Sequence, residues 1–427
     1  MKNLFFISLL LGCFTAACSG SKHIGLESTS VHQQNARTEQ TNTPQSEVPT
    51  GIFKIEDHAH GIRFFNGLGT QIFTIPPGNN LLDFSSELIV YVNPQNHMCH
   101  LVNRTGVEVS SISMENRVPD AVRVSGNFFA FASNEQGTHY FNLYNSSGQR
   151  ILHLETASIA NLNFDDDSEN FSIGLNYFMY KNEGTHHMHI LGVDGQEVVN
   201  HDRTRYPYHA IPNGFFAYIE QTGADENEDY QLYLRNGTEE IFHQNQIVAP
   251  LSLSGSLIAY LVRRPTDTEA PTFHVRNILS GTEIFRRSSA EIAMSDRNEQ
   301  PKVQGGFFTY QTATDTNPVT HVLDSNGNEI ANSNQFQFRH SKFSQNFFYF
   351  HDQRTNHIRI FSSSGQVVIN RPRSEIVLFN IVGSPGISVT ENFIGFKESK
   401  NHSLHILNSS GQEVFHADGR AIRYDLR

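Results

Sequence analysis

The chain has 427 residues and a formal net charge of −12, from 43 acidic and 31 basic side chains. The acidic excess is spread rather than blocked, and no basic stripe appears, which argues for solubility and against nucleic acid as a partner. Of three cysteines two lie in the first eighteen residues, so Cys99 stands alone in the body and no intramolecular disulfide is available there.

Met1-Lys2-Asn3 is a short positive start, followed by an apolar run over 4–14 that is too short to cross a bilayer as a permanent helix. Thr15-Ala16-Ala17-Cys18 then places small residues directly before a cysteine. This resembles the lipobox of bacterial lipoproteins, although Thr15 stands where that family usually carries an aliphatic residue. The resemblance implies that Cys18 is acylated and becomes the new N-terminus. Ser19 after it implies the outer membrane rather than the inner. The alternative is a plain secretory signal and a secreted or periplasmic soluble protein. Residues 19–50 are Ser, Thr, Gln, Asn, Glu and Pro with few large apolar side chains. Such a segment buries too little surface to offset its ordering entropy and reads as a flexible tether.

From residue 51 to 427 the text repeats. Gly69, Gly106, Gly148, Gly195, Gly237, Gly281, Gly327, Gly365 and Gly411 recur every 37 to 47 residues. Each follows an alternating strand such as Leu404-His405-Ile406-Leu407 and opens another such as Glu413-Val414-Phe415. Upstream lies an aromatic strand, for example Phe128-Phe129-Ala130-Phe131 or Phe347-Phe348-Tyr349-Phe350. A fourth stretch leads through a small turn into the next aromatic strand. Aromatic enrichment, period-two alternation and Gly/Asn/Ser punctuation predict short antiparallel strands, and no sustained helical periodicity appears after residue 50. Four strands per repeat of about 40–45 residues predict an all-β fold, a β-propeller of four-stranded blades. The order of parts resembles the blades of TolB-like and WD-repeat-like propellers, a likeness that covers 51–427 and speaks to architecture, not function. The chain begins at an aromatic-strand position, Ile52-Phe53-Lys54-Ile55, and ends on a fourth-type stretch, Ala421-Ile422-Arg423-Tyr424. The two ends are therefore expected to complete one blade, giving eight or nine blades.

In an up-and-down blade alternate connections share one end. The glycine turns and the turns into the aromatic strands are tight, so one face is trimmed. The long connections (221–229, 263–271, 286–300, 311–318 and 370–386) fall on the other face. Binding is expected there, since variable loops on a rigid scaffold commonly carry it.

Candidate chemistry is sparse. Histidine recurs six residues before the turn glycine at His100, His189, His321 and His405. Equivalent positions in different blades are spread around a ring, so the recurrence predicts a shared packing role, not a metal site. His187 and His189 share one face of a strand and with His209 form a weak candidate metal set. The acidic runs 165–169 and 225–229 read as solvated loops in preference to calcium loops. Asp324-Ser325-Asn326-Gly327-Asn328-Glu329 reads as a hairpin turn. Cys99, in an apolar strand, reads as a small buried side chain. No catalytic signature is present, no catalytic residue is assigned and no cofactor is expected. The resulting expectation is an envelope-anchored, non-enzymatic propeller that binds a protein or polysaccharide. The alternative is a propeller hydrolase or lyase acting on carbohydrate or peptide.

Overall fold

The computed structural model describes residues 51–57, 59–114, 121–162, 164, 170–202, 208–210, 214–221, 230–263, 270–292, 301–312, 319–333, 341–352, 354–377, 387–418 and 422–427. Strands dominate them, interrupted by three 3-10 turns at Thr156–Ser158, Ser289–Glu291 and Arg373–Glu375. Register decides how the repeats are cut. The stretch that precedes an aromatic strand pairs with it: Val122–Ser125 lies beside Phe128–Glu135, with Val124 opposite Phe129. Each blade therefore runs from an inner strand through the aromatic strand and a third strand to an outer one. The fourth stretch of a sequence repeat belongs to the following blade.

Blade 1 consists of Ile52–Asp57, Gly61–Asn66 and Gln71–Thr74, and its inner strand is Arg423–Leu426, with Phe53 opposite Leu426 and Ile55 opposite Tyr424. The two ends of the body thus complete one blade, as expected. Seven sheets have four strands and one has seven. In the larger sheet the 16-residue strand Glu239–Ser254 pairs with Tyr230–Asn236 in its first half and with Leu257–Val262 in its second. It serves blade 5 as outer strand and blade 6 as inner strand. Among the described residues the count is nine blades.

Burial on both faces explains the aromatic strands. Phe128 and Ala130 pack into the cluster shared with blade 4, whereas Phe129 and Phe131 pack into the cluster shared with blade 2. Nine such clusters fill the spaces between successive blades. One joins blade 9 to blade 1, where the Phe53 ring meets Phe393 edge-on with centroids 5.2 Å apart, and closes the ring. Each fully buried Phe contributes roughly 1.5–3 kcal/mol of transfer free energy. With Cys99 the one cysteine after residue 18, these contacts hold the blades together without a disulfide between them. Cys99 is fully buried in the cluster between blades 2 and 3, and burial pushes its thiol up to about 12.

All nine repeat glycines have positive φ, from +58° to +85°. At Gly106 a second demand adds to the first. A Cβ there would lie 2.0 Å from the Ile72 carbonyl oxygen in the outer strand of blade 1. Gly69 meets Val414 of blade 9 at the same distance. The turns are braced by the residue that opens them: the Asn408 Oδ1 accepts from the N–H groups of Ser410 and Gln412 at 3.1 and 3.0 Å. Asp324 does the same for Asn326 and Asn328, so its carboxylate serves the turn, as the sequence indicates.

Candidate functional site

The turns between inner and aromatic strands converge on a cavity of about 590 Å³. Residues of blades as far apart in the chain as blade 3 (Ser125, Gly126) and blade 8 (Ser344, Gln345) line it together, which places it on the ring axis. It opens at the tight-turn end, the face where the sequence suggests no function. The long connections expected to bind lie largely outside the described residues.

Small residues build this mouth because the turns abut one another. A Cβ on Gly305 would lie 1.7 Å from the Ser344 carbonyl oxygen of the next blade. Hydroxyls stitch the turns: Ser85 Oγ donates to the Gly126 carbonyl at 2.7 Å and Ser125 Oγ to the Ile173 carbonyl at 2.8 Å. Ser254 Oγ accepts from the Gly305 N–H at 2.8 Å. In the same way Asn346 Nδ2 donates to the Glu391 carbonyl at 2.6 Å. Each bond crosses to the next blade, so the rim is held rigid by its own polar groups. Glu391 and Arg427 are the charged side chains of the lining. The Arg427 guanidinium lies over the Phe84 ring, 5.2 Å from its centroid, and 3.4 Å from Asp83 Oδ1. Burial raises the Asp83 carboxyl, and Arg427 with the Phe84 and Val124 N–H groups offsets that only in part. The arrangement can hold a polar ligand at a rigid, mixed-charge rim.

The recurrent histidines lie away from the axis, and each has the same two partners. In blade 2, His100 stacks on Tyr91 (centroids 4.8 Å apart, 11° between planes) and its Nδ1 lies 3.0 Å from Glu108 Oε1. The pattern returns as Tyr180–His189–Glu197, Tyr310–His321–Glu329 and Phe396–His405–Glu413. Blade 6 adds Tyr260–His274–Glu283. The packing role is therefore as expected, and the hydrogen bond runs within a blade, from third strand to outer strand. His274 escapes the six-residue rule because seven residues separate it from Gly281. The Gly-x-Glu that follows every one of these histidines is the signal that identifies all five, at 106–108, 195–197, 281–283, 327–329 and 411–413.

The His187–His189–His209 set divides between two blades. His187 Nδ1 lies 2.7 Å from Asn200 Oδ1, His189 is engaged with Glu197, and the His209 side chain is outside the described residues. The acidic runs 165–169 and 225–229, and Cys18, are also outside them. Among the described residues one group of three does bring metal-type donor atoms together: His405, Glu413 and His416, in blade 9.

No family model matches the chain, and no curated protein matches it. Among solved structures it is similar to a eukaryotic initiation factor, at 11% identity over 88% of this chain and 98% of that one, with a TM-score of 0.45. It is also similar to the β-propeller domain of the trilobed protease from Pyrococcus furiosus (11% identity, 69% and 96% covered, TM-score 0.30). The WD40 domain of Toxoplasma gondii coronin is a further neighbour (9% identity, 74% and 82% covered, TM-score 0.30). These likenesses concern the fold alone, and the nine-bladed propeller stands on its own sheets and inter-blade clusters.

Proposed function

We propose that the protein is a lipid-anchored β-propeller of the bacterial envelope that acts as a binding scaffold for a polysaccharide or protein partner. The axial cavity carries this reading. Its volume of about 590 Å³ suits the end of a glycan chain or a polar loop, and its lining combines serine hydroxyls, Gln345, Glu391 and Arg427 on a rim stitched rigid by inter-blade hydrogen bonds. A preformed polar mouth binds without a large ordering cost. Anchoring rests on the Thr15-Ala16-Ala17-Cys18 segment and the polar stretch after it.

The full chain tethered to vesicles tests both parts, with purified envelope polysaccharides and envelope protein extracts passed over it. The expected result is reversible, stoichiometric capture of an unaltered ligand, weakened about tenfold (about 1.4 kcal/mol) by Glu391→Ala or Gln345→Ala. Recovery of cleaved glycan or peptide, with no lasting complex, would refute the scaffold reading in favour of an enzyme. Cys18→Ser should move the protein from the membrane to the soluble fraction, and an unmodified chain already soluble would refute the anchor.

A further inference from the structure

Blade 9 departs from the other blades at one cross-strand position. In the five aromatic–His–Glu blades the outer-strand residue opposite the histidine is Ser111, Asn200, Arg286, Asn332 and, in blade 9, His416. In blades 4 and 7 that residue, Asn200 or Asn332, donates an N–H to the second carboxylate oxygen of the glutamate. His416 does something different. Its Nδ1 approaches the His405 Nδ1 at 3.3 Å, while Glu413 Oε2 lies 2.6 Å from the same His405 nitrogen and Glu413 Oε1 lies 4.0 Å from His416 Nδ1.

A single hydrogen bond cannot serve both contacts of His405 Nδ1. A neutral imidazole nitrogen has either one hydrogen or one lone pair. If His405 Nδ1 donates to Glu413, it has nothing left for His416. If it accepts from His416, its lone pair faces a carboxylate oxygen. A cation between the three groups removes the conflict. Two nitrogens each about 2.0–2.1 Å from a tetrahedral zinc lie about 3.3 Å apart, as His405 Nδ1 and His416 Nδ1 do, whereas Glu413 Oε2, 2.6 Å from His405 Nδ1, would have to swing outward to a similar separation. Carboxylates stand near both distal nitrogens, although His405 Nε2 makes no hydrogen bond as it stands. His416 Nε2 lies 3.5 Å from Asp418 Oδ1, an oxygen that also accepts from Ser403 Oγ at 2.6 Å. His405 Nε2 lies 3.6 Å from Glu398 Oε1, which is paired with Arg371 at 2.6 Å. When Nδ1 holds an ion, each Nε2 carries the hydrogen that such a carboxylate accepts.

We infer that His405 Nδ1, His416 Nδ1 and Glu413 form a site for one divalent first-row transition cation of the zinc type, with a fourth position open to water. Two imidazoles and one carboxylate match such an ion and not calcium, which takes six to eight oxygens. The ligand residues are graded in exposure, from 11% for the His405 side chain to 45% and 46% for His416 and Glu413, so an ion can enter from solvent. The site is independent of the axial cavity and of any ligand bound there.

Zinc alone is the probe, titrated calorimetrically into chelator-stripped full-length protein. The chain has 22 histidines and can bind zinc weakly elsewhere, so the readout is the tight equivalent. One such equivalent is expected, with Co²⁺ giving the visible bands of a four-coordinate nitrogen/oxygen site. His416→Asn, which installs the residue that blades 4 and 7 already use, should weaken binding at least tenfold with unchanged far-ultraviolet circular dichroism, and Glu413→Gln should act alike. His189→Gln in blade 4 should leave the tight equivalent intact. No tight equivalent in the unmodified chain would overturn the inference. So would one that survives His416→Asn, or one that disappears with His189→Gln.

Discussion

Substitution of two repeat glycines separates backbone conformation from blade packing. Gly106 and Gly281 both lie at hairpin turns with positive φ, +82° and +68°. Alanine costs roughly 1–2 kcal/mol at either position for adopting the left-handed region. The smaller freedom of alanine in the unfolded chain offsets each cost equally. The surroundings differ. At Gly281 an added Cβ meets nothing within 4 Å, whereas at Gly106 it would sit 2.0 Å from the Ile72 oxygen and 2.9 Å from the carbonyl carbon. Relief to a tolerable 3 Å requires about 1 Å of movement between the hairpin of blade 2 and the outer strand of blade 1. The cluster around Ile72, Phe73 and Val102 resists that movement. Overpacking of this kind typically costs 1–3 kcal/mol. Equilibrium denaturation of the full-length protein should therefore place Gly106→Ala about 1–3 kcal/mol below Gly281→Ala. Equal losses, within about 0.5 kcal/mol, would refute the claim that the repeat glycine is needed for inter-blade approach as well as for its turn.

Three further outcomes follow from the same contacts. Deleting residues 423–427 removes the buried Tyr424 and Leu426 and uncovers Phe53 and Phe393, at a cost of at least about 3–6 kcal/mol by burial alone; limited proteolysis should find blade 1 opened, and a variant as protease-resistant as the parent would contradict ring closure. At Glu329 burial opposes ionisation, but hydrogen bonds from His321 and Asn332 outweigh it and hold the carboxyl below its ordinary 4.5. Its folded value is depressed, so the stabilisation is present above pH 4.5 and is lost as pH falls through the lowered value; the stability gap between the parent and Glu329→Gln should be larger at pH 7 than at pH 3, and a gap independent of pH counts against the pairing. Cys99, buried and with its thiol pushed up to about 12, should react with a maleimide only on unfolding, and fast labelling of the native protein would show the core between blades 2 and 3 to be open.

Much of this architecture is local and therefore legible in the sequence. A positive-φ glycine, an Asn or Asp that braces its turn and strands that alternate with period two are all specified within ten or so residues. Nine repeats of them state the blade number almost directly. The phase of the two ends even implies the closure by Arg423–Leu426, since an aromatic strand with no partner before it and an inner strand with none after it complement each other. The shared strand Glu239–Ser254 hides one blade boundary from the sheet count, yet the glycine spacing reveals it.

What the tertiary structure decided is where distant residues meet. The axial mouth gathers turns from six blades and the chain end of a seventh, and its Arg427–Asp83 contact joins residues 344 positions apart, so no local pattern could mark the tight-turn end as the place of the cavity. The histidine repeat is visible in one dimension, but its meaning depends on register. His405 and His416 are eleven residues apart across a bulged hairpin, and only the pairing of the third and outer strands brings their Nδ1 atoms to 3.3 Å. Local sequence specifies turns and strands because their energies are local. Convergent chemistry depends on ring closure and strand register, which are settled only when all nine blades are packed.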